Sequence, residues 1–108
     1  MVVCVPVSTD GAIDPRWGRA GRVAIAQVGQ DGISDWQEFD VNWDALHDEG
    51  TEGSHHARVA RFLRDHRVEA VAAGHMGMPM VNMLQQMGLT VRLGASGDAR
   101  HAAITATW

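Results

Sequence analysis

The sequence has one cysteine, no lysine and no tyrosine among its 108 residues. A single cysteine, Cys4, excludes an internal disulfide and any cluster cage built only from the cysteines of one chain. All 9 basic residues are arginine, which reads as a coding bias and not as chemistry. They are outweighed by 13 acidic residues, for a formal net charge of −4. No basic excess is available to hold a phosphate backbone, so nucleic acid is not an expected partner. Long apolar runs are missing too. The opening MVVCVPVSTDG has no basic segment and only about six apolar residues in a row, too short for a signal peptide or a membrane span. The expectation is a cytoplasmic protein with no membrane association.

What is present suffices for one small domain, 1–108. Hydrophobic residues make up 45% of the chain, and a domain of this length buries roughly two-thirds of its unfolded surface. Val2 to Val7 is an apolar, β-branched run closed by Ser8-Thr9-Asp10-Gly11, the pattern of a buried central strand and a loop. Asp14 to Gly18 is turn chemistry. Arg22 to Val28 reads as a second strand, Gln30-Asp31-Gly32 as a hairpin, and Ile33 to Phe39 as a third strand. Val41 to Gly53 carries Asp44, Asp48, Glu49 and Glu52 and reads as a mobile acidic loop. Ser54 is the expected N-cap of a helix from His55 to Arg67, with Val59, Phe62 and Leu63 near helical spacing. Val68 to Ala73 reads as a fourth strand, buried on both faces. Gly74-His75-Met76-Gly77 is a tight loop. Pro79 suits the first turn of a helix that runs to Met87 and stops at Gly88. Leu89 to Leu93 is a fifth strand, and Asp98 to Ala106 a last helix.

The order is therefore β-β-β-α-β-α-β-α. Two hairpin connections and two right-handed helical crossovers predict an α/β fold of ribonuclease-H-like arrangement: a mixed five-stranded sheet, strand one in the middle, helices on both faces. Strands one, three, four and five then run the same way. Their carboxyl ends share one edge, where ligands of open α/β sheets bind. That edge receives Ser8, Thr9 and Asp10, then His75 and Met76, then Ser96. The first long helix starts there with His55 and His56. Helix N-termini at this edge favour an anionic ligand, including an anionic metal–sulfide cluster.

Imidazole is the commonest protein metal ligand and suits zinc, copper, iron and nickel. His55, His56, His75 and the soft thioether of Met76 are the candidate metal ligands. Adjacent histidines on a helix point about 100° apart, so one of His55 and His56 is expected to face the site. The plain alternative is a solvated helix start and a hydrogen-bonded loop histidine. Thr9, Arg16, Gly74, Gly77 and Ser96 are the candidate cofactor-binding residues, the glycines because backbone approaches a ligand closely there. Arg16, with Arg19 and Arg22, is suited to clamp an anion or to form a solvated rim. Met80, Met83 and Met87 have the spacing of a core stripe; Met78 is a further residue to watch as a ligand. Cys4 reads as a small buried hydrophobe, Trp17 as packed on the sheet, and His47, His66 and His101 as surface residues. Asp10 and Asp14 resemble a metal-binding carboxylate pair, but the strands supply no converging acids, which argues against a nuclease.

Four segments together resemble the nitrogenase iron–molybdenum-cofactor biosynthesis/accessory family: VVCVPVSTDGAIDPRWGRAGRVAIAQV, EGSHHARVARFL, VEAVAAGHMGMPM and MGLTVRLGASGDARHA. The family shows a strand, a Pro-His-Phe-Gly-like turn and a strand, then later a Gly-Gly-Ile-Gly-like loop. Here Arg16 stands where the turn usually has histidine, and His75 where the loop usually has its second glycine. The resemblance implies binding of an iron–molybdenum-type metal–sulfur cluster, for carriage or assembly with donor and acceptor proteins, and no catalysis. Two other readings compete. One is a small-molecule or anion-binding enzyme with His75 as general acid–base, although no nucleophile or oriented triad is in sight. The other is a non-catalytic interaction module whose exposed third strand pairs with a second copy to give a homodimer, with Trp36 or Trp43 in the contact.

Overall fold

The apolar run at the amino end forms β1 (Val2–Pro6), buried from Val3 onward. A strand buried on both faces belongs inside a sheet, and the chain builds that sheet around it. The computed structural model describes residues 1–46 and 50–108. β2 (Arg22–Gly29) and β3 (Gly32–Asp40) follow as an antiparallel ribbon, and β4 (Ala70–Ala72) and β5 (Thr90–Arg92) add in parallel on the other side. The order β3-β2-β1-β4-β5 puts β1 in the middle, as the sequence predicts. The pairings Val3↔Ala26 and Cys4↔Val71 fix its register. β1, β3, β4 and β5 run the same way, so their carboxyl ends do share one edge.

Alternation along β1 sends Cys4 to one face and Val3 and Val5 to the other. Two cores result. α2 (Glu52–Asp65) and α3 (Met78–Gln86) bring Val59, Leu63, Met80, Val81 and Leu84 onto the Cys4 face. α4 (Ala99–Thr105) covers the opposite face with Ala99, Ala102 and Ala103, against Ala24, Ala26, Ala70 and Ala72. Small residues on both sides let this helix approach the sheet closely. Each fully buried Leu or Val contributes about 1.5–3 kcal/mol, and Leu63, Leu84, Val59 and Val71 anchor the first core.

Several expectations from sequence need correction. The 41–53 segment contains a short helix, α1 (Trp43–Leu46), because Trp43 is an apolar anchor. Its side chain is 1% exposed, so it cannot serve as a docking residue. His47, Asp48 and Glu49 lie outside the described residues. The N-cap of α2 is Thr51, not Ser54; Thr51 and Ser54 form a reciprocal capping box, with Ser54 at the third helical position. β4 and β5 are each three residues long, shorter than the apolar runs that contain them. His66 is not a simple surface residue: its ring lies 4.4 Å from Phe62 and 4.7 Å from Phe39, centroid to centroid.

Candidate functional site

The loops leaving β1, β4 and β5 are tied to one another at the carboxyl edge. Val7 pairs with Ile13, Ala12 with Asp98, and Arg16 with His75 as isolated bridges. Gly94 donates to the Gly74 carbonyl, and Ile13 to that of Gly97. Gly74 leaves little room for a side chain: a Cβ there would lie 3.2 Å from the Ala95 carbonyl oxygen and 3.5 Å from the Pro15 Cα. Its role is close packing of three loops.

Two cavities open beside this seam. The smaller, about 170 Å³, is lined by Trp17, Gly18, His55, His56, Met76, Gly77, Pro79 and Met80. It gathers three of the four predicted metal-ligand residues and one of the predicted glycines. Trp17 reaches it from the turn Asp14–Gly18 and is held by Trp43, edge to face at 5.2 Å, with Phe62 behind Trp43 at 5.8 Å. Trp17 is 1% exposed, and its Nε1–H has no acceptor among the described residues. A buried donor left in that state costs about 1–3 kcal/mol.

His55 lies in the first turn of α2 and is buried; His56 is half-buried, its ring 6.3 Å from that of His55. Arg58 Nη1 stands 3.4 Å from His55 Nδ1. A guanidinium only donates, so Nδ1 accepts and the ring proton belongs on Nε2. Met76 is buried, and Met80 borders the cavity from α3. Gly77 is the N-cap of α3 and supplies no side-chain cap, and the first N–H groups of a helix carry partial positive charge. The other helix starts predicted to serve the edge are closed by their own residues. Thr51 and Ser54 cap α2, and the Asp98 carboxylate accepts from the His101 N–H at the start of α4. Among the described residues no carboxylate borders this cavity.

The neighbouring cavity, about 390 Å³, holds Thr9 and Arg16 with Ser8, Asp14, Arg22 and three further polar residues, Asp40, Asn42 and Asp44. Its carboxylates already hold its guanidinia. Asp14 is buried and accepts from the Arg16 N–H at 3.0 Å and Nε at 3.3 Å. Hydrogen bonding to Asp14 and its charge raise the Arg16 pKa. Arg22 is raised in the same way by Asp40, 2.9 Å from its Nε. Asp10, exposed nearby, is lowered by the Ser8 hydroxyl and the Ala12 N–H. A carboxylate-lined space of this kind suits an anionic cluster poorly.

The remaining predicted residues are not in either cavity. His75 is exposed beside Arg16, and Ser96 is exposed on the loop after β5. Cys4 sits in the sheet core, where burial pushes its thiol well above the ordinary range, leaving a poor ligand. Among the described residues no three His, Cys, Asp or Glu side chains converge as a metal site. Trp17 is the lining residue that sequence reasoning undervalued. Its place in the turn predicted packing, but its orphan N–H depends on the fold.

The sequence profile described as dinitrogenase iron-molybdenum cofactor matches residues 1–107. No curated protein matches the sequence. Among solved structures, the crystal structure of PH0822 superposes with a TM-score of 0.74 at 16% identity, over 94% of this chain and 85% of that one. The apo form of the orange protein from Desulfovibrio gigas gives a TM-score of 0.71 at 21% identity, over 94% of this chain and 82% of that one. At those identities the two structures speak for the fold, and the profile match speaks for kinship. The chain belongs to the dinitrogenase iron-molybdenum cofactor family.

Proposed function

We propose that the chain binds and carries a metal–sulfur cluster, of iron–molybdenum type, in the cavity between Trp17, His55, His56 and Met76, and that it is a carrier and not a catalyst. The observation that carries this reading is the buried Trp17 N–H with no acceptor among the described residues. An indole N–H cannot ligate a metal. It can donate to an acceptor brought in by a ligand, and a cluster sulfide is one. Family membership points to the same class of cargo.

The surroundings fit such a cargo. The uncapped start of α3 favours an anion, and among the described residues no carboxylate lines the cavity. Met76 and Met80 are soft, and His56 offers imidazole to a metal edge of the cluster. His55 has a different role in this reading. With Nδ1 engaged by Arg58, it keeps the donor tautomer and acts as a second N–H, not as a ligand. A site with so few metal ligands holds its cargo mainly by hydrogen bonds and shape, which suits release to an acceptor.

The test is uptake by tag-free protein from ferrous iron, molybdate and sulfide under reducing conditions. The expected result is bound metal together with acid-labile sulfide, reduced in His56→Ala and retained in His75→Ala. Metal bound without sulfide contradicts the cluster. Loss in His75→Ala but not in His56→Ala moves the site out of the cavity to the exposed loop.

A further inference from the structure

A cavity larger than either of those lies at the opposite end of the molecule, where α2 and α3 end. It measures about 430 Å³ and is lined by Leu63, Arg64, Arg67, Val68, Met87 and Leu89. Both helices end in the same hydrogen-bonded motif. At α2, the Arg67 N–H donates to the Arg64 carbonyl and the Val68 N–H to that of Leu63. At α3, Gly88 donates to Gln85 and Leu89 to Leu84. The motif needs a left-handed residue at the turn. α3 uses Gly88, with φ 87°, whereas α2 uses Arg67, with φ 56°. Glycine adopts that conformation without strain and arginine does not.

Arg64 and Arg67 rim the cavity, both exposed. Among the described residues neither guanidinium has an ion pair or a side-chain hydrogen bond, in a chain whose acids outnumber its bases. Helix carbonyl ends favour positive charge nearby, which accounts for one arginine in the last turn. It does not account for arginine at the strained position. The floor is apolar: Leu63 and Val68 are buried, and Met87 and Leu89 are half-buried against the same core.

We infer that this cavity binds an amphipathic anion, an unbranched acyl chain lying on Leu63, Val68, Met87 and Leu89 with its carboxylate held by Arg64 and Arg67. A purely polar anion would not use the floor, and an uncharged hydrocarbon would not use the rim. Guanidinium is the group that holds a carboxylate in bidentate fashion. The site is independent of the cluster cavity, and neither reading depends on the other.

The test uses the full chain and octanoate, followed by the methyl signals of Leu63, Val68, Met87 and Leu89 in carbon–proton NMR spectra. Octanol keeps the chain without the charge, and acetate keeps the charge without the chain. The expected result is saturable shifts with octanoate and none with either control at the same concentration. Arg67→Gly removes one guanidinium and relieves the left-handed residue, so it should melt no lower than wild type while weakening octanoate roughly fivefold. Equal affinity in Arg67→Gly, equal binding of octanol, or no saturation with octanoate overturns the assignment.

Discussion

Arg58 donates from Nη1 to Nδ1 of His55 across 3.4 Å, one turn of α2 above the residue it orients. This contact makes His55 a donor at Nε2 and engages the one ring lone pair that could ligate a metal. Nitrogen NMR of the neutral ring should show Nδ1 as the unprotonated nitrogen. Arg58→Met, which keeps the aliphatic stem and removes the donor, should move His55 towards a mixture of tautomers. A wild-type ring protonated at Nδ1 contradicts the assignment.

The capping box at the start of α2 supports the same pair of histidines. Thr51 Oγ1 accepts from the Ser54 N–H at 3.1 Å, and Ser54 Oγ accepts from the Thr51 N–H at 3.0 Å. Thr51→Ala should cost about 1 kcal/mol, measured by urea unfolding. His55 and His56 come directly after the box, so amide exchange there should quicken. Unchanged stability would mean that the cap contributes nothing and that the first turn is held from elsewhere.

Gly74 offers a steric test of the loop seam. A methyl group at Gly74 meets the Ala95 carbonyl oxygen and the Pro15 Cα, and neither is the end of a flexible side chain. Gly74→Ala should destabilise by about 1 kcal/mol, read as a lower melting temperature. A variant that melts with wild type shows that the loops part without cost.

Much of this architecture is legible in the sequence, for a physical reason. Val3, Cys4 and Val5 are apolar in succession because β1 is covered on both faces, and that alone places it centrally. Met80, Met83 and Met87 follow the helical period because one side of α3 meets the sheet; Met80 is buried and the other two are half-buried, while Val81 and Leu84 fill the core beside them. The start of α2 was ambiguous because Thr51 and Ser54 cap each other, and either residue type satisfies an N-cap. The burial of Trp43 was hidden by its acidic neighbours. Its side chain is drawn in by Trp17 and Phe62, both remote in sequence.

The site was only half legible. Chain order alone brings His55, His56, Met76 and Gly77 to one edge. It does not say that Asp14 draws Arg16 into a separate cavity with Thr9. Flanking glycines told of a tight loop at His75, but its exposed place beside Arg16 depends on how the folded loops pair. Charge pairing and side-chain direction are properties of contacts, and spacing does not encode them.

The measurement that tests the account most directly is metal and acid-labile sulfide content in wild type and Trp17→Phe after the same reconstitution. Phenylalanine keeps an aromatic ring against Trp43 and removes the orphan donor. Loss of packing is then offset by relief of an unsatisfied N–H, and the unloaded variant should stay within about 1 kcal/mol of wild type. The account predicts metal with sulfide in wild type and a several-fold lower content of both in Trp17→Phe, at nearly unchanged stability. Equal content in the two proteins, or none in wild type, contradicts it.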